Sequence, residues 1–305
     1  MPRPLSNGQC WQIMTGACLP LDCDTVVPYE EVEVGETHAT LMGEAVAGKF
    51  IHREGTDAQA GDLLVGRETL IGPAHLGLAA SIGAVEMEVT RLPKIHLLTT
   101  GDELVSPEQT PEPHQIRQSN GLTLKAAIEK WGPAEVILTH LADDLESTKE
   151  GIRKALDADL VILSGGISKG TKDFVRTALE SLIGEPLFHG VAQRPGKPFA
   201  FWPGVAALPG NPNSTLTTFH RYLVPLLNRM VGLAIPKGIR LPFEEPMTEH
   251  PRLTLFVPCV ITEEGKLHPL EPQNSGDFVR PISATGFAEI PPGIGVVSEA
   301  FYRSY

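Results

Sequence analysis

The chain is poor in cysteine, in positive charge and in uninterrupted apolar sequence, and each shortage removes a class of protein. Four cysteines among 305 residues, at positions 10, 18, 23 and 259, form no C-x-x-C pair. Cys10, Cys18 and Cys23 crowd near the N-terminus without a recognisable zinc spacing, so free thiols are the expected state. Only 25 lysines and arginines face 37 aspartates and glutamates, a net charge of −12. Such a chain lacks the basic surface that neutralises a phosphate backbone, and nucleic acid is not expected as a general partner. A small anionic ligand is still allowed, because local cations outweigh a distant excess of the other sign. No apolar run approaches the roughly 20 residues that cross a bilayer, and no signal peptide is read. A cytoplasmic protein without a membrane partner is expected. Internal repeats and low-complexity tracts are also missing. At 305 residues and 42% hydrophobic content, two or three domains are expected.

What is present is concentrated at the ends of apolar runs. The segment DLVILSGGISKGTKD, residues 159–173, is the most informative. Leu160 to Ser164 read as a buried strand and Gly165-Gly166 as a turn. Phe174, Ala178, Leu179 and Leu182 then recur at helical spacing. Strand, glycine turn and helix in succession predict a ligand crevice outside the carboxyl end of a strand in an open parallel sheet. The glycines let backbone N–H groups approach an anion. Lys169 and Lys172 add cations, and Asp173 adds a carboxylate suited to a metal ion. The Walker motif is excluded. Gly165 and Gly170 have the G-x-x-x-x-G spacing, but Thr171-Lys172 follows where Lys-Ser/Thr is required. Taken alone, the Gly-Gly pair fits a plain tight turn equally well.

Two further segments repeat the pattern. Ile95 to Leu98 run into Gly101-Asp102-Glu103. Val136 to Leu138 run into Asp143-Asp144, after which Leu145, Ile152 and Leu156 mark one helix face. Three successive strand ends thus deliver acids to one edge of a sheet, where they repel unless a cation sits among them. For any one of them an acidic helix cap is the ordinary alternative. Hard carboxylate ligands favour Mg²⁺, which keeps waters and bridges to substrate phosphates. Counter-charge comes from QRPGKPFAF, residues 193–201, where Pro195 and Pro198 stiffen a turn carrying Arg194 and Lys197. In ALPGNPNST, residues 207–215, Asn213 or Ser214 is expected to cap a long amphipathic helix. That helix runs through Leu216, Phe219, Leu223, Leu226 and Met230, with a kink at Pro225. The two Pro/Gly loops flank a strand pair, Phe199 to Phe201 and Val205 to Leu208, and are expected to wall a pocket for an anion. His220 reads as a packing or surface residue, and Trp131 as core rather than a stacking platform.

These segments occur in one order with IMTGACLPLDCDTVV (13–27), HREGTDAQAGDLLVGRETLIGPAHLGLAASIG (52–83) and QIRQSNGLTL (115–124). In that order the chain resembles the MoeA/gephyrin family, the molybdopterin molybdenumtransferases, over most of residues 11–232. The resemblance implies insertion of molybdate into adenylylated molybdopterin with release of AMP. It also implies a divalent metal, commonly Mg²⁺. Motif by motif, it implies functional roles for Glu103, Asp143, Asp173 and Thr15, and Asp144 is added as a metal ligand beside Asp143. The ligand-binding loops would hold Gly165, Gly166, Ser168, Arg194, Pro195, Lys197, Pro198, Asn211 and Ser214. A homodimer and a molybdopterin adenylyltransferase partner are implied as well. The family's S-x-M-D-G-Y-A segment finds no match, which predicts a weakened dimer and impaired insertion. A molybdopterin-binding homologue or partner subunit is therefore the alternative function, and a nucleotide phosphohydrolase on a related α/β domain is the second.

The expected fold is multidomain, α/β plus β. Residues 1–42 read as the remnant of a β-rich domain carrying the M-T-G-A motif. Residues 43–90 read as a Gly-rich linking and dimerisation domain, with a short helix opened by Pro73 and closed by Gly83. Residues 91–235 read as a three-layer α/β domain of molybdopterin-binding type. Residues 236–305 read as a small β-barrel. There Leu253, Leu255, Val257, Cys259 and Ile261 alternate at period two before a turn at Glu263-Glu264-Gly265-Lys266.

Overall fold

The computed structural model describes residues 4–167, 174–272 and 277–305. The chain divides into two compact units, Met1–Gly66 and Arg67–Tyr305. The first holds an antiparallel hairpin of two short strands, β1 (Val32–Val34) and β2 (Ala39–Leu41). Neither strand buries a residue. The hairpin is held by its ladder, by Gly35 N–H donating to His38 O at 2.8 Å, and by Met42 N–H donating to Glu31 O at 2.9 Å.

The second unit opens with α1 (Pro73–Ser81), where Pro73 occupies the first turn and its missing N–H leaves no bond unmade. The order then runs β3 (Lys94–Thr100), β4 (Leu104–Val105), β5 (Ile116–Arg117), α2 (Asn120–Trp131), β6 (Glu135–Leu141), α3 (Leu145–Ala155) and β7 (Leu160–Ser164). It continues with α4 (Phe174–Ile183), β8 (Phe188–His189), β9 (Gln193–Arg194), β10 (Ala200–Trp202), β11 (Val205–Leu208), α5 (Pro212–Thr218) and α6 (Val224–Met230). One sheet has the order β6-β3-β7-β11-β10-β8. Its first four strands are parallel, and β10 and β8 are antiparallel additions.

Every residue of β7 is buried, and its side chains alternate between two cores. Val161 and Leu163 pack with Ile152, Val175, Ala178 and Leu179 from α3 and α4. Leu160 and Ile162 face the other way, onto Leu124 and Ile128 of α2 and onto Phe219, Leu223 and Leu227. A strand covered on both faces has no polar side to present, which is why this stretch reads as an unbroken apolar run. The result is the expected three-layer arrangement. The half-buried Trp131 packs against the second core and donates from Nε1 to Asn228 Oδ1 at 2.6 Å.

The helix after β11 starts earlier than expected. Asn211 is its N-cap and Pro212 its first residue, rather than a cap at Asn213 or Ser214. Proline at the first helical position is pre-organised and loses no hydrogen bond there. One turn of π-helix, Phe219–Leu223, joins α5 to α6. Pro225 follows directly and has no N–H to return to the preceding turn, so the irregularity falls where a kink is expected.

Five strands, β12 (Ile239–Thr248), β13 (Thr254–Ile261), β14 (Leu267–Pro269), β15 (Gly286–Ile290) and β16 (Val296–Ser304), close into a barrel in the order β14-β12-β16-β15-β13 and back to β14. Leu255, Val257 and Cys259 point inward with Phe243, Ile290 and Tyr302, as their alternation predicts. Burial pushes the Cys259 thiol up to about 12, which keeps it an unreactive filler. The strands β15 and β16 approach closely at Gly286, where a Cβ would lie 2.1 Å from Arg303 O. Strand β9, between β8 and β10 in the chain, pairs with β13 of the barrel instead, Gln193 opposite Thr254 and Arg194 opposite Leu255. Among the described residues, no helix is long and apolar enough to cross a membrane.

Candidate functional site at the strand ends

Because β3, β6, β7 and β11 run parallel, the loops after Thr100, Leu141, Ser164 and Leu208 all leave one edge of the sheet. Strand β10 runs the other way, with Ala200 opposite Ala207, so the loop entering it lies at that same edge. Five loops therefore surround the crevice expected at the carboxyl ends of parallel strands.

The acids among the described residues sit on two of them. After β3, Gly101 turns the chain at φ +135°, and a Cβ there would meet Glu103 Oε1 at 2.7 Å. The Glu103 carboxylate thus folds back over a position only glycine can fill. Ile116 N–H donates to Glu103 O at 2.8 Å and fixes the backbone. After β6, Asp143 N–H donates to Asp102 Oδ1 at 3.1 Å, and Thr100 Oγ1 donates to Asp143 Oδ1 at 3.4 Å. The ends of β3 and β6 are thereby tied together, with Glu103 and Asp143 on adjacent loops. Asp144 serves the helix instead. It is the N-cap of α3, and its Oδ1 accepts from Ser147 N–H at 2.9 Å. Hydrogen bonds from Ser147 hold its carboxyl below the usual range. Among the described residues, no three His, Cys, Asp or Glu side chains gather as a metal-holding group. Asp173 and Ser168, expected to complete the acid set and the glycine loop, lie outside the described residues, as do Lys169 and Lys172.

The glycine turn is pressed against its neighbours. Gly166 has φ +66°, and a Cβ there would fall 2.5 Å from Val175 Cγ2 and 2.9 Å from Thr100 Cγ2. Gly165 N–H donates to Leu208 O at 3.3 Å, and the turn of β11 packs on it, since a Cβ at Gly210 would lie 3.7 Å from Gly165 Cα. Asn120, the first residue of α2, joins the two turns: its Nδ2 donates to Ser164 Oγ at 3.0 Å and to Gly210 O at 2.6 Å. Sequence reasoning passed over this residue although it stands in QIRQSNGLTL.

The basic loop is rigid for reasons beyond its prolines. The Arg194–Pro195 peptide is cis. Gly196 has φ +90°, and a Cβ there would lie 2.5 Å from Thr218 Oγ1. Gln193, 1% exposed, donates to Gly196 O at 3.2 Å and accepts from the Tyr222 hydroxyl. Val191 N–H donates to Lys197 O at 2.9 Å. The backbone of the loop is thus pinned while the side chains of Arg194 and Lys197 are exposed and Pro195 and Pro198 half-buried. Asn211 is exposed, and Ser214 is 4% exposed one turn later. In the other unit, the exposed Thr15 lies in a turn closed by Ala17 N–H donating to Met14 O at 3.0 Å.

Residues 1–83 match the family described as "MoeA N-terminal region (domain I and II)", and residues 96–229 match "Probable molybdopterin binding domain". The chain is 34% identical over 295 residues to the molybdopterin molybdenumtransferase of Synechocystis, covering 92% of this chain and 73% of that protein. The chain belongs to the molybdopterin molybdenumtransferase family. It is also 36% identical over 236 residues to molybdopterin molybdenumtransferase 2 of Mycobacterium tuberculosis, covering 74% of this chain and 58% of that one. Its fold matches the crystal structure of the molybdopterin biosynthesis MoeA protein from Pyrococcus horikoshii OT3 with a TM-score of 0.80. That match covers 96% of this chain and 74% of the other at 22% identity, and it extends the likeness in fold to the barrel. In this family member, the five strand-end loops all fall within the stretch matching the molybdopterin-binding domain, and Thr15 falls within the N-terminal region.

Proposed function

We propose that this chain inserts molybdate into adenylylated molybdopterin with release of AMP, as a step of molybdenum cofactor biosynthesis. The observation that carries the reading is the meeting of Glu103, Asp143, the Gly165-Gly166 turn and the Lys197 loop at one sheet edge. Acids and anion-binding loops side by side suit a ligand whose phosphates bring a cation between themselves and the carboxylates.

The donors available fit Mg²⁺. Glu103 and Asp143 offer hard carboxylate oxygens on loops tied together by the Asp102 and Thr100 bonds. Asp173 would complete the set, and the capping bond of Asp144 leaves Asp143 as the ligand-facing acid of its pair. When bound, the ion would neutralise negative charge on the ligand's phosphate oxygens. The glycine backbone at 165 and 166 binds phosphate, helped by Ser168 and Ser214. Lys197 and Arg194 hold the anionic end of the ligand, and Pro195, Pro198 and Asn211 keep their loops in shape. Thr15 belongs to the catalytic set through its M-T-G-A motif. The same reading assigns residues 43–90 to linking and dimerisation, a homodimer as the working form, the cytoplasm as its place, and an adenylyltransferase as the source of its substrate.

The test is AMP release from adenylylated molybdopterin by the purified 305-residue chain with Mg²⁺. Release that requires molybdate supports the proposal. Release from plain nucleotides without molybdopterin replaces it with phosphohydrolysis. Tight binding without release leaves a molybdopterin-binding homologue.

A further inference from the structure

We infer that Asn120 is a positioning residue of this site, an amide clamp that sets the spacing between the Gly165-Gly166 turn and the Pro209-Gly210 turn. The inference rests on the strand ends being the ligand site. Asn120 Nδ2 reaches Ser164 Oγ at 3.0 Å and Gly210 O at 2.6 Å. Those acceptors belong to the end of β7 and the loop after β11, which carry Gly165, Gly166, Asn211 and Ser214. One side chain on a third element therefore holds two ligand loops.

A purely structural role explains the arrangement poorly. The ladder between β7 and β11 is complete without the amide, from Val205 opposite Val161 to Leu208 opposite Ser164. Beyond the last pair, one longer backbone bond, Gly165 N–H to Leu208 O at 3.3 Å, joins the strand ends, and the amide adds the second tie. The clamp does not serve its own helix either, because the cap of α2 is Ser119 and makes no side-chain hydrogen bond. Asn120 Oδ1, moreover, is buried without a partner among the described residues. Burying an unpaired acceptor is destabilising, so it offsets part of what the two hydrogen bonds contribute to stability. A neutral amide also suits the neighbourhood. It donates two protons, as a carboxylate cannot, and it adds no charge beside loops that bind an anion.

Two variants and two measurements test the clamp. In Asn120→Ala, amide hydrogen exchange at Gly165 should quicken without any ligand present, by more than at core amides such as Ile162, where any global loss of stability is read. KM for adenylylated molybdopterin should rise about tenfold, the scale of one lost hydrogen bond, with kcat less affected. In Asn120→Asp, the carboxylate at about pH 8 has no proton for Gly210 O, and KM should rise at least as much. As pH falls toward about 5, the buried carboxyl protonates and donates again, so the variant-to-wild-type KM ratio should recover. The alanine ratio should stay flat over that range. A flat ratio for Asn120→Asp, or Gly165 exchange unchanged in Asn120→Ala, overturns the clamp. Absence of AMP release by the wild type rejects the proposed reaction instead, and the exchange measurement then decides the clamp alone.

Discussion

Residues 4–66 and the three layers around β7 use their apolar side chains in opposite ways. In the layers, Leu160 to Ser164 are all buried, and the strand is sealed by helices on both faces. Among residues 4–66, Pro20 is the only buried residue, while Met14, Tyr29, Met42 and Leu63 are exposed and Leu21 is 97% exposed. One region is ordered by packing, which is cooperative and tolerates no void. The other is ordered turn by turn through backbone bonds such as Ala17 to Met14 and Gly35 to His38. Both regions fall within stretches that match the family, so the proposed ligand-binding residues can be tested apart from those that hold the fold.

The sharpest way to break this contrast is truncation of one branched aliphatic side chain in each region. Ile162→Ala, at a site 0% exposed, should cost about 2–5 kcal/mol in urea unfolding. Leu21→Ala should change stability by less than about 0.5 kcal/mol. A large loss from Leu21→Ala would show that the first unit has a packed core after all. Next comes Lys197→Ala, which lies within the packed unit but carries an exposed side chain. It should weaken AMP binding by about 1.5–3 kcal/mol in calorimetric titration, without shifting the unfolding midpoint. Unchanged affinity would remove Lys197 from the ligand-binding set.

Two pH effects of smaller size follow from charges inside the second unit. Burial, with help from nearby Lys130, lowers the His220 pKa from 6.5 to about 4. Between those values the unfolded chain takes up a proton that the folded chain refuses, so stability should fall as pH drops from 6.5 to about 4 and then level off. His220→Gln should flatten that part of the stability profile. Asp159 works at lower pH. Hydrogen bonds from Arg91 at 2.7 and 2.6 Å, and from Lys94 N–H at 2.8 Å, bring its carboxyl from 3.8 to about 2. That contribution is whole above pH 3.8 and is lost as pH falls through about 2, with salt reducing it because the pair is partly exposed. Asp159→Asn with an unchanged acid limb would refute the assignment.

Much of this was legible in the amino-acid order, for reasons that differ by element. Strand β7 was legible because burial on both faces leaves an unbroken apolar run. Strand β13 was legible because only alternate residues enter the barrel. The placing of Glu103 and Asp143 on adjacent loops followed from parallel strands sharing an edge, which needs only the succession of strands and helices. Asn120 was not legible, because its acceptors lie 44 and 90 residues away and no local pattern marks a side chain that bridges two loops. The cap at Asn211 was misplaced because polar Asn213 and Ser214 look like caps, whereas proline at position 212 fixes the cap two or three residues earlier. Asp144 was ambiguous for the same reason any acid before a helix is: a capping carboxylate and a metal-binding carboxylate are spelled alike.

The short strand β9 has a consequence for the barrel. Gln193 and Arg194 are hydrogen-bonded into one sheet through Thr254 and Leu255, and Ala200 is already in the other. Pro195 to Phe199 thus run from one sheet to the other, with Lys197 in the middle of the span. The barrel acts as the anchorage at one end of that span. The position of the Lys197 charge is therefore set from two sheets at once, by β13 through Arg194 and by β11 through Ala200.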